Sequence, residues 1–420
     1  MSSHPFRPLR HREVRLLWGS AMISDIGTWV QLIVVGSLVA AHTGSAVQTG
    51  LVALATFMPQ GIASPVGGLL ADRYDRRKVF ATFLMVQALV TTALAVVLGM
   101  GVRTPLVLTV LILFASAAGA TGGPSYAAML PDLVPPEELM AMVSLGVYSW
   151  NSGRVIGPIL GTLLALAVGP AWTVGFNAFT FVVIAGAVML LRRPFAPHGS
   201  DGSVLEQLRD GWRAMRTTPG CIHGLVLLVL FNLTVVPFMG LIPIYVRAEF
   251  HGGTGLTGTV ASAQGVGAII GGVAITVLAT SRQRSMMVRR IVVFMSCALL
   301  LYATAPNPAV AILAAFLLGM GSSGLFISAS SIVQRDAPHA SRGRVMSINQ
   351  ASMGVAYGLG LLFIGSIGDA VNLRSAFAVG AVLLPLGFVA LTLRSRHWRA
   401  AVDGTPRHPQ VGVQVRTGLA

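Results

Sequence analysis

Residues 68–78 of the chain read Gly68-Leu69-Leu70-Ala71-Asp72-Arg73-Tyr74-Asp75-Arg76-Arg77-Lys78. This segment carries four cations and two carboxylates, and it separates two apolar stretches, residues 46–71 and 79–101. Each stretch is long enough to cross a bilayer, because a helix rises about 1.5 Å per residue and the hydrocarbon core is about 30 Å thick. The charged segment is therefore predicted to be a tight turn between two membrane spans.

The composition of the whole chain indicates a polytopic membrane protein. Of its 420 residues, 54% are hydrophobic and 10% are charged, and the mean hydropathy is +0.76. Water-soluble domains carry about 25% charged residues, so this chain cannot cover a surface in water. Hydropathy predicts an all-α fold with twelve spans at residues 16–40, 46–71, 79–101, 105–131, 141–168, 171–191, 221–246, 256–280, 288–305, 308–333, 345–368 and 375–393.

The placement of the positive charge predicts the orientation of these spans. With the N-terminus inside, 25 of the 29 Lys and Arg residues fall in inner segments, three fall in outer segments, and Arg154 lies within a span. Such a bias places the basic segments in the cytoplasm. We therefore expect both termini to be cytoplasmic in the cell inner membrane, and the net charge of +15 to reflect topology rather than a nucleic-acid partner.

The spans divide into two groups of six. Residues 1–191 are predicted to form the first six-helix bundle, and residues 221–394 the second. Residues 192–220 form a linker with an amphipathic helix on the inner membrane surface, and residues 395–420 a disordered cytoplasmic tail. Three residue pairs lie 203 positions apart, which indicates duplication of the kind found in transporters whose two halves rock: Gly68 and Gly271, Pro135 and Pro338, and Ser144 and Ser347.

The charged turn resembles the loop 2–3 signature of the major facilitator superfamily, Gly-x-x-x-Asp-Arg-x-Gly-Arg-Arg, at Gly68, Asp72, Arg73, Arg76 and Arg77. Asp75 stands where that family usually has glycine. This departure resembles the branch of bacterial exporters that includes enterobactin exporters and macrolide-type efflux proteins. Other segments resemble the same branch, including Gly27-Thr28-Trp29-Val30-Gln31 and Pro131-Asp132-Leu133-Val134-Pro135. The resemblance implies two six-helix bundles that expose a central cavity to either side of the membrane.

In that family the acceptor aspartate meets the N-terminal end of span 11 and latches the two halves in the outward-open state. The resemblance assigns this gating role to Asp72, with span 11 beginning near residues 343–345. A carboxylate at a helix N-terminus accepts hydrogen bonds from free N–H groups, which gives the latch a physical basis. Arg76 is expected to pair with Asp132. The alternative is that these charges only enforce topology.

The motif Gly153-x-x-x-Gly157-Pro158-x-x-Gly161 in span 5 resembles the antiporter signature of superfamily exporters. Small residues at this spacing let a helix backbone pack closely on a neighbour. The resemblance implies that the neighbour is span 8, where glycines 265, 267, 271 and 272 form a matching face. It also favours export over uptake. The alternative is ordinary small-residue packing.

Two full charges lie within predicted spans and away from their ends, Asp25 in span 1 and Arg154 in span 5. A lone charge at mid-membrane costs about 2.5–3.5 kcal/mol or more, so each requires a partner or water. Their similar depths allow an ion pair. We expect Asp25 to carry the coupling proton and Arg154 to respond to it, and the alternative is a static pair that only fixes packing.

Polar and aromatic residues in the spans that line the cavity of this architecture are candidates for substrate contact, although helix packing explains each of them equally well. An apolar cavity with scattered amides and aromatic rings suits amphipathic organic molecules. The candidates are Trp29, Gln31, Tyr126, Asn151, Asn232, Phe238, Asn349 and Gln350.

The resulting hypothesis is a proton-coupled exporter of small organic molecules, with drugs and siderophore-like compounds as the substrate classes that the resemblance implies. An uptake symporter for a nutrient is the second hypothesis. A receptor or lipid scramblase that transports no solute is a third. The sequence contains no Walker loop and no recognisable metal or nucleophile cluster, so we expect neither an enzyme nor a cofactor or metal. The expected partners are substrate, protons and lipid, with the protein as a monomer.

Overall fold

The computed structural model describes residues 6–192, 195, 204–278, 284–338 and 341–394. All regular secondary structure in these residues is helical. A short 3₁₀ helix, Arg7–Arg10, precedes the helices α1 (Arg12–Thr43), α2 (Ala46–Arg73), α3 (Arg76–Gly99), α4 (Pro105–Leu133), α5 (Leu139–Met189), α6 (Val204–Thr217), α7 (Pro219–Thr234), α8 (Pro237–Phe250), α9 (Thr254–Leu278), α10 (Arg284–Ala303), α11 (Pro308–Asp336), α12 (Arg342–Ala370) and α13 (Leu373–Arg394).

Helix α5 supplies two spans, because the chain reverses within it at Gly169. Gly169 has a φ of 83°, a conformation that glycine adopts at little steric cost. Both arms then lie against α1 at one level. A β-carbon added to Gly27 would collide with Asn177 of the second arm, and one added to Gly153 of the first arm would lie 2.9 Å from the backbone of Asp25.

The seventh span consists of α7 and α8, which meet at a break near mid-membrane. Pro237 begins α8, and its missing N–H and fixed φ favour the start of a new helix at this point. The predicted continuous span at 221–246 is therefore interrupted. In the part of the chain that the structure describes, eleven helical segments are long and apolar enough to cross a membrane, and counting α5 twice gives the predicted twelve.

The two halves of the bundle repeat each other. The first half consists of α1 to α5 and the second of α7 to α13, and α2 packs on α4 as α9 packs on α11. Positions 203 residues apart occupy equivalent places: Pro135 follows α4 and Pro338 follows α11, whereas Ser144 lies in α5 and Ser347 in α12. This correspondence agrees with the duplication inferred from the sequence.

Helix α6 lies in the predicted linker and packs on the second half rather than standing alone on a membrane surface. The Met215 side chain is buried in a cluster that includes Val345 and Ile348 of α12. Arg344 Nη1 donates a hydrogen bond to Asp210 Oδ2 at 3.2 Å. Linker residues 193–194 and 196–203, and the predicted disordered tail, 395–420, lie outside the described residues.

We call the end of the bundle that carries residues 73–78, α6 and the α11–α12 connection the basic end, and the opposite end the far end. At the far end the two halves share one apolar core. Ile33 of α1 and Ala53 of α2 are buried together with Leu241 and Ile242 of α8. The halves are therefore packed against each other at the far end.

Candidate functional site

A cavity of about 810 Å³ lies between the two halves. Its wall combines residues of α1 to α5 with residues of α7, α8 and α12. It extends toward the basic end, since its wall includes Phe80 in the first turns of α3 and Ala127 near the end of α4. The volume is typical of sites for drug-sized ligands, about 300–1,000 Å³. Six aromatic side chains line it: Phe57, Phe80, Tyr126, Trp150, Phe181 and Tyr357.

Asp25 is the one charged residue among the described residues that line this cavity. It lies on α1 and is half-buried. Ser149 of α5 donates a hydrogen bond from its Oγ to Asp25 Oδ2 at 2.5 Å. The carboxylate is therefore held in a defined position on the cavity wall, where a proton or a cationic group of a ligand can reach it.

Arg154 is not paired with Asp25, contrary to the sequence-based expectation. Its Nε donates to Gln264 Oε1 of α9 at 2.9 Å, and its Nη2 lies 3.4 Å from the sulfur of Met239. Its guanidinium also lies 5.9 Å from the Trp29 ring centroid, within range of a cation–π contact. Successive helical residues point about 100° apart. Because Gly153 faces α1, Arg154 turns toward α9 and bridges the two halves.

The glycines of the antiporter-like motif pack on α1 of their own half, whereas its Pro158 meets span 8, since a β-carbon added to Gly258 of α9 would lie 2.8 Å from the Pro158 carbonyl oxygen. The predicted contact with span 8 is therefore present, but most of the expected span 8 glycines do not form it. A β-carbon added to Gly153, Gly157 or Gly161 would lie within 3.1 Å of α1 atoms. Glycines 267 and 271 face α11, where a β-carbon would collide with the α11 backbone, and the nearest atom to Gly272 also belongs to α11. Only the Gly265 part of the expected face meets α5, at the Arg154 carbonyl. Glycines four residues apart share one helix face, and in α5 that face meets α1.

The substrate candidates separate into two groups. Tyr126, Asn232 and Gln350 line the cavity. The other five do not line it, because neighbouring helices or intrahelical bonds hold them elsewhere. Trp29 packs against Trp150 and Phe57, and Phe238 is buried against Tyr302. Gln31 bonds to Asn177, Asn151 bonds to Val147 of its own helix, and Asn349 is buried next to Met353. In this structure, helix packing accounts for the positions of the residues in this second group.

The charged turn at 73–78 is held by specific contacts at the basic end. Arg76 Nη1 pairs with Asp132 Oδ2 at 3.5 Å, as expected, and donates to the Ala128 carbonyl at 3.1 Å. Arg77 Nη1 donates to the Leu191 carbonyl at 2.8 Å. Asp75 caps α3 by accepting from the backbone N–H of Arg77 at 2.9 Å. The aspartate that replaces the usual family glycine thus has a local structural role as an N-cap.

Helices α2 and α12 cross between the halves as an antiparallel pair, and a carboxylate joins them at the far end. Asp369 accepts hydrogen bonds from Ser45 Oγ at 2.6 Å, Ala46 N at 2.5 Å and Val47 N at 3.1 Å. These donors form the N-terminus of α2, where free N–H groups and the helix dipole favour an anion. Asp369 therefore clamps the two halves together at the far end.

Sequence reasoning missed Asp369, Ser149 and Gln264. A signal existed for Asp369, because it is one of only 14 acidic residues and it ends α12 as Asp72 ends α2. Gln264 was visible as an amide in the apolar stretch 256–280. Nothing in the sequence separates Ser149 from the other serines, since its role depends on how α5 lies against α1.

Comparison with known proteins agrees with this architecture. The sequence matches the family described as "Transmembrane secretion effector" over residues 3–417. Macrolide efflux protein A of Streptococcus pyogenes is 21% identical over 374 residues, which cover 88% of this chain and 92% of that protein. Multidrug efflux pump Tap of Mycobacterium tuberculosis is 27% identical over 399 residues, with 90% and 92% coverage.

Among solved structures, a bacterial homologue of the human lysosomal transporter Spinster, in an inward-facing and unoccupied conformation, has a similar fold. The TM-score is 0.69 at 15% sequence identity, covering 96% of this chain and 98% of that one. Both the fold and the sequence match are those of transporters rather than enzymes. The chain belongs to the transmembrane secretion effector family of major facilitator superfamily transporters.

Proposed function

We propose that this transporter is a proton-driven exporter of small amphipathic organic molecules in the bacterial inner membrane. The names of its relatives, a macrolide efflux protein and a multidrug efflux pump, support the direction of transport. The concentration of Lys and Arg at the basic end supports a cytoplasmic location for that end and for both termini. Both halves of the bundle lie in this one chain, and the proposed working unit is a monomer.

The observation that carries this proposal is the position of Asp25 in the cavity wall. Asp25 is flanked by aromatic side chains such as Tyr126 and Trp150, and no Arg or Lys is present among the described lining residues. An acidic and aromatic surface favours organic molecules that carry a protonated amine, through charge pairing and cation–π contacts. Anionic compounds, including anionic siderophores, are disfavoured by the same carboxylate.

Proton coupling follows if proton and substrate use Asp25 alternately. In the state with the cavity toward the cytoplasm, the protonated Asp25 carboxyl releases its proton to the cytoplasm, and a cationic substrate binds the resulting carboxylate. After the halves rock, an external proton binds Asp25 and the substrate loses its counter-charge and leaves. Ser149 keeps its hydrogen bond to the carboxylate through Oγ and thereby fixes the position at which the two cations compete.

The cycle also requires that only one end be open at a time. The far-end contacts of Asp369 and the Arg154–Gln264 bond between halves stabilise the state in which the cavity extends toward the basic end. In the opposite state, Asp72 is proposed to bind the N-terminus of α12. Each carboxylate would then stabilise one of two states, and a bound ligand shifts their populations by its differential affinity.

Transport by purified protein in proteoliposomes tests the proposal. We expect an imposed pH gradient to drive ethidium, a permanent organic cation, out of the compartment that the basic end faces. Asp25→Asn keeps the shape of the side chain but cannot exchange a proton. It should abolish gradient-driven movement of ethidium while downhill exchange of ethidium persists. Glu137→Gln, an exposed carboxylate near the basic end, is the matched control and should behave like the wild type.

Gradient-driven transport by Asp25→Asn at the wild-type rate would refute coupling at this residue. Transport of solutes only into the compartment that the basic end faces would identify the protein as an uptake symporter rather than an exporter. Absence of any solute flux in the wild type, with lipid transfer between leaflets instead, would favour a scramblase.

A further inference from the structure

Helix α10 places two adjacent arginines, Arg289 and Arg290, inside its membrane-crossing segment. That segment, Ser285–Ala303, has 19 residues and is therefore about 28 Å long at 1.5 Å per residue, barely the thickness of the hydrocarbon core. Both side chains are exposed on the surface of the bundle. They lie within about two turns of the basic end of the helix, where a span of this length is expected to meet the lipid headgroups.

Neither arginine has a counter-ion among the residues that the structure describes. Neither makes a hydrogen bond or an ion pair with another residue of the described ranges. The segment 279–283 before α10 contains no Asp or Glu. The cations of the corresponding turn in the first half differ, because Arg76 and Arg77 bind protein groups. A guanidinium at the headgroup boundary is within reach of lipid phosphates, so a partner from outside the protein is expected.

Each arginine borders a separate apolar groove. Arg290 lines a groove of about 480 Å³ between α9, α10 and α11, where Gly324 leaves space among isoleucine, methionine and phenylalanine side chains. Arg289 lines a smaller groove of about 270 Å³ between α10 and α13, next to Phe388. A cation beside an apolar depression matches a molecule that has an anionic head and a hydrocarbon chain.

We propose that an anionic phospholipid occupies each groove on the two sides of α10, with its phosphate bound by the arginine and an acyl chain in the groove. Arginine presents a planar set of donors that matches phosphate oxygens. Basic pockets between membrane helices on the cytoplasmic side bind anionic lipids in this way. A zwitterionic lipid carries its own cationic group beside the phosphate, and it satisfies two adjacent guanidinium groups less well. Neither groove is part of the transport cavity, and neither is lined by Asp25.

Native mass spectrometry of the delipidated full chain in detergent tests the proposal. Dioleoyl phosphatidylglycerol should add up to two retained lipids per chain, at least tenfold more strongly than dioleoyl phosphatidylcholine. Arg290→Gln and Arg289→Gln should each remove one of them, and the double variant should remove both. Gly324→Leu should remove only the lipid on the Arg290 side, because a β-carbon there meets Ile291 at an ordinary 3.5 Å and the rest of the side chain fills the groove.

The double variant Arg12→Gln, Arg394→Gln is the control. It removes the same charge from exposed positions near the basic end that border neither groove, and it should retain both lipids. Any of four results would overturn the proposal. Two concern the variants: loss of the lipids from this control, or retention of lipid by the double variant Arg289→Gln, Arg290→Gln. Two concern the wild type: equal retention of phosphatidylglycerol and phosphatidylcholine, or retention of neither. Inorganic phosphate at millimolar concentration should not displace the lipid, and displacement would assign the site to a free anion instead.

Discussion

The two ends of the α2–α12 pair have the same design but different packing. Asp72 is the second-to-last residue of α2, and Asp369 is the second-to-last residue of α12. Because the helices are antiparallel, each carboxylate lies near the other helix's N-terminus. At the far end Asp369 binds three donors of α2. At the basic end, a β-carbon added to Gly68 or Gly343 would meet no atom within 4 Å.

This difference indicates how one helix pair can serve two gates. The seam is tight from the far end to Gly61, where a β-carbon would lie 3.0 Å from Ala351, and it then opens. The same arrangement of carboxylate and helix N-terminus can close either end, and we propose that one end opens as the other closes when the halves rock. Alternating access then depends on the balance between two contacts of one chemical type, and the following predictions change each side of that balance.

The largest expected effect comes from Asp72→Asn. Removing the charge weakens a proposed contact to the N-terminus of α12, and a hydrogen bond to a charged group contributes about 1.5–3 kcal/mol. The outward-open state should lose population by about tenfold or more, and the initial rate of transport in proteoliposomes should fall accordingly while the protein still reaches the membrane.

Asp75→Asn is the matched control, since it removes the same charge three residues away. Asn remains a good N-cap for α3, so this variant should transport at a rate close to that of the wild type. If Asp72→Asn also transports normally, the basic-end latch does not exist and the charges of the turn serve topology alone.

Asp369→Ala should have the opposite effect on the populations. It removes three hydrogen bonds at the far end and should favour opening there by about tenfold. A cysteine at Thr49, which is 1% exposed in the closed far-end interface, reports this opening when Cys221 and Cys297 are replaced by serine. We expect its labelling rate to rise in Asp369→Ala, to fall in Asp72→Asn and to be intermediate in the double variant. If the double variant is labelled at the same rate as Asp369→Ala alone, the substitution at Asp72 has no effect on the far end, and the two ends are not coupled.

A moderate effect is expected from the bond between Arg154 and Gln264, which joins the halves between the two gates. Arg154→Gln and Gln264→Leu should each raise the Thr49→Cys labelling rate about fivefold, because one buried hydrogen bond contributes about 1 kcal/mol. In a double-mutant cycle the second substitution should add little to the first. Full additivity would mean that each residue acts through other contacts.

Much of this fold could be predicted from the sequence because it depends on local quantities. Apolar length predicted the twelve spans, and the distribution of Arg and Lys separated the two ends of the bundle. The Arg76–Asp132 pair was also predictable, since the resemblance implies that both residues lie at the same end. These features depend on composition along one helix or on proximity across one short turn.

The pairing of Asp25 with Arg154 was wrong for a physical reason. Depth in the membrane follows from residue number, but the direction of a side chain around the helix axis depends on which neighbour each face meets. Gly153 faces α1, so Arg154 points to Gln264 and Asp25 is left to Ser149. Phe238 was assigned to the cavity for the same reason, because its direction around the helix axis could not be predicted from the sequence. The break between α7 and α8 buries it against Tyr302. Rotation about helix axes is a tertiary property.

The smallest expected effect tests the packing difference itself with two conservative changes. Gly50→Ala adds a methyl group at the tight end, where it would lie 3.5 Å from the backbone oxygen of Leu361. Gly68→Ala adds the same group where the seam is open. In the state with the far end closed both methyl groups fit, and we expect unfolding temperatures in detergent within about 2 °C of the wild type.

The two substitutions differ when the gates exchange. Closing the basic end must bring α12 toward Gly68, so a methyl group there obstructs the approach, whereas one at Gly50 moves away from Leu361 as the far end opens. Gly68→Ala should therefore slow transport about two- to threefold, as expected for an obstruction of less than about 1 kcal/mol, and Gly50→Ala should not. Equal rates for both variants would mean that the seam does not close at Gly68, and the reciprocal use of α2 and α12 would then be limited to the far end.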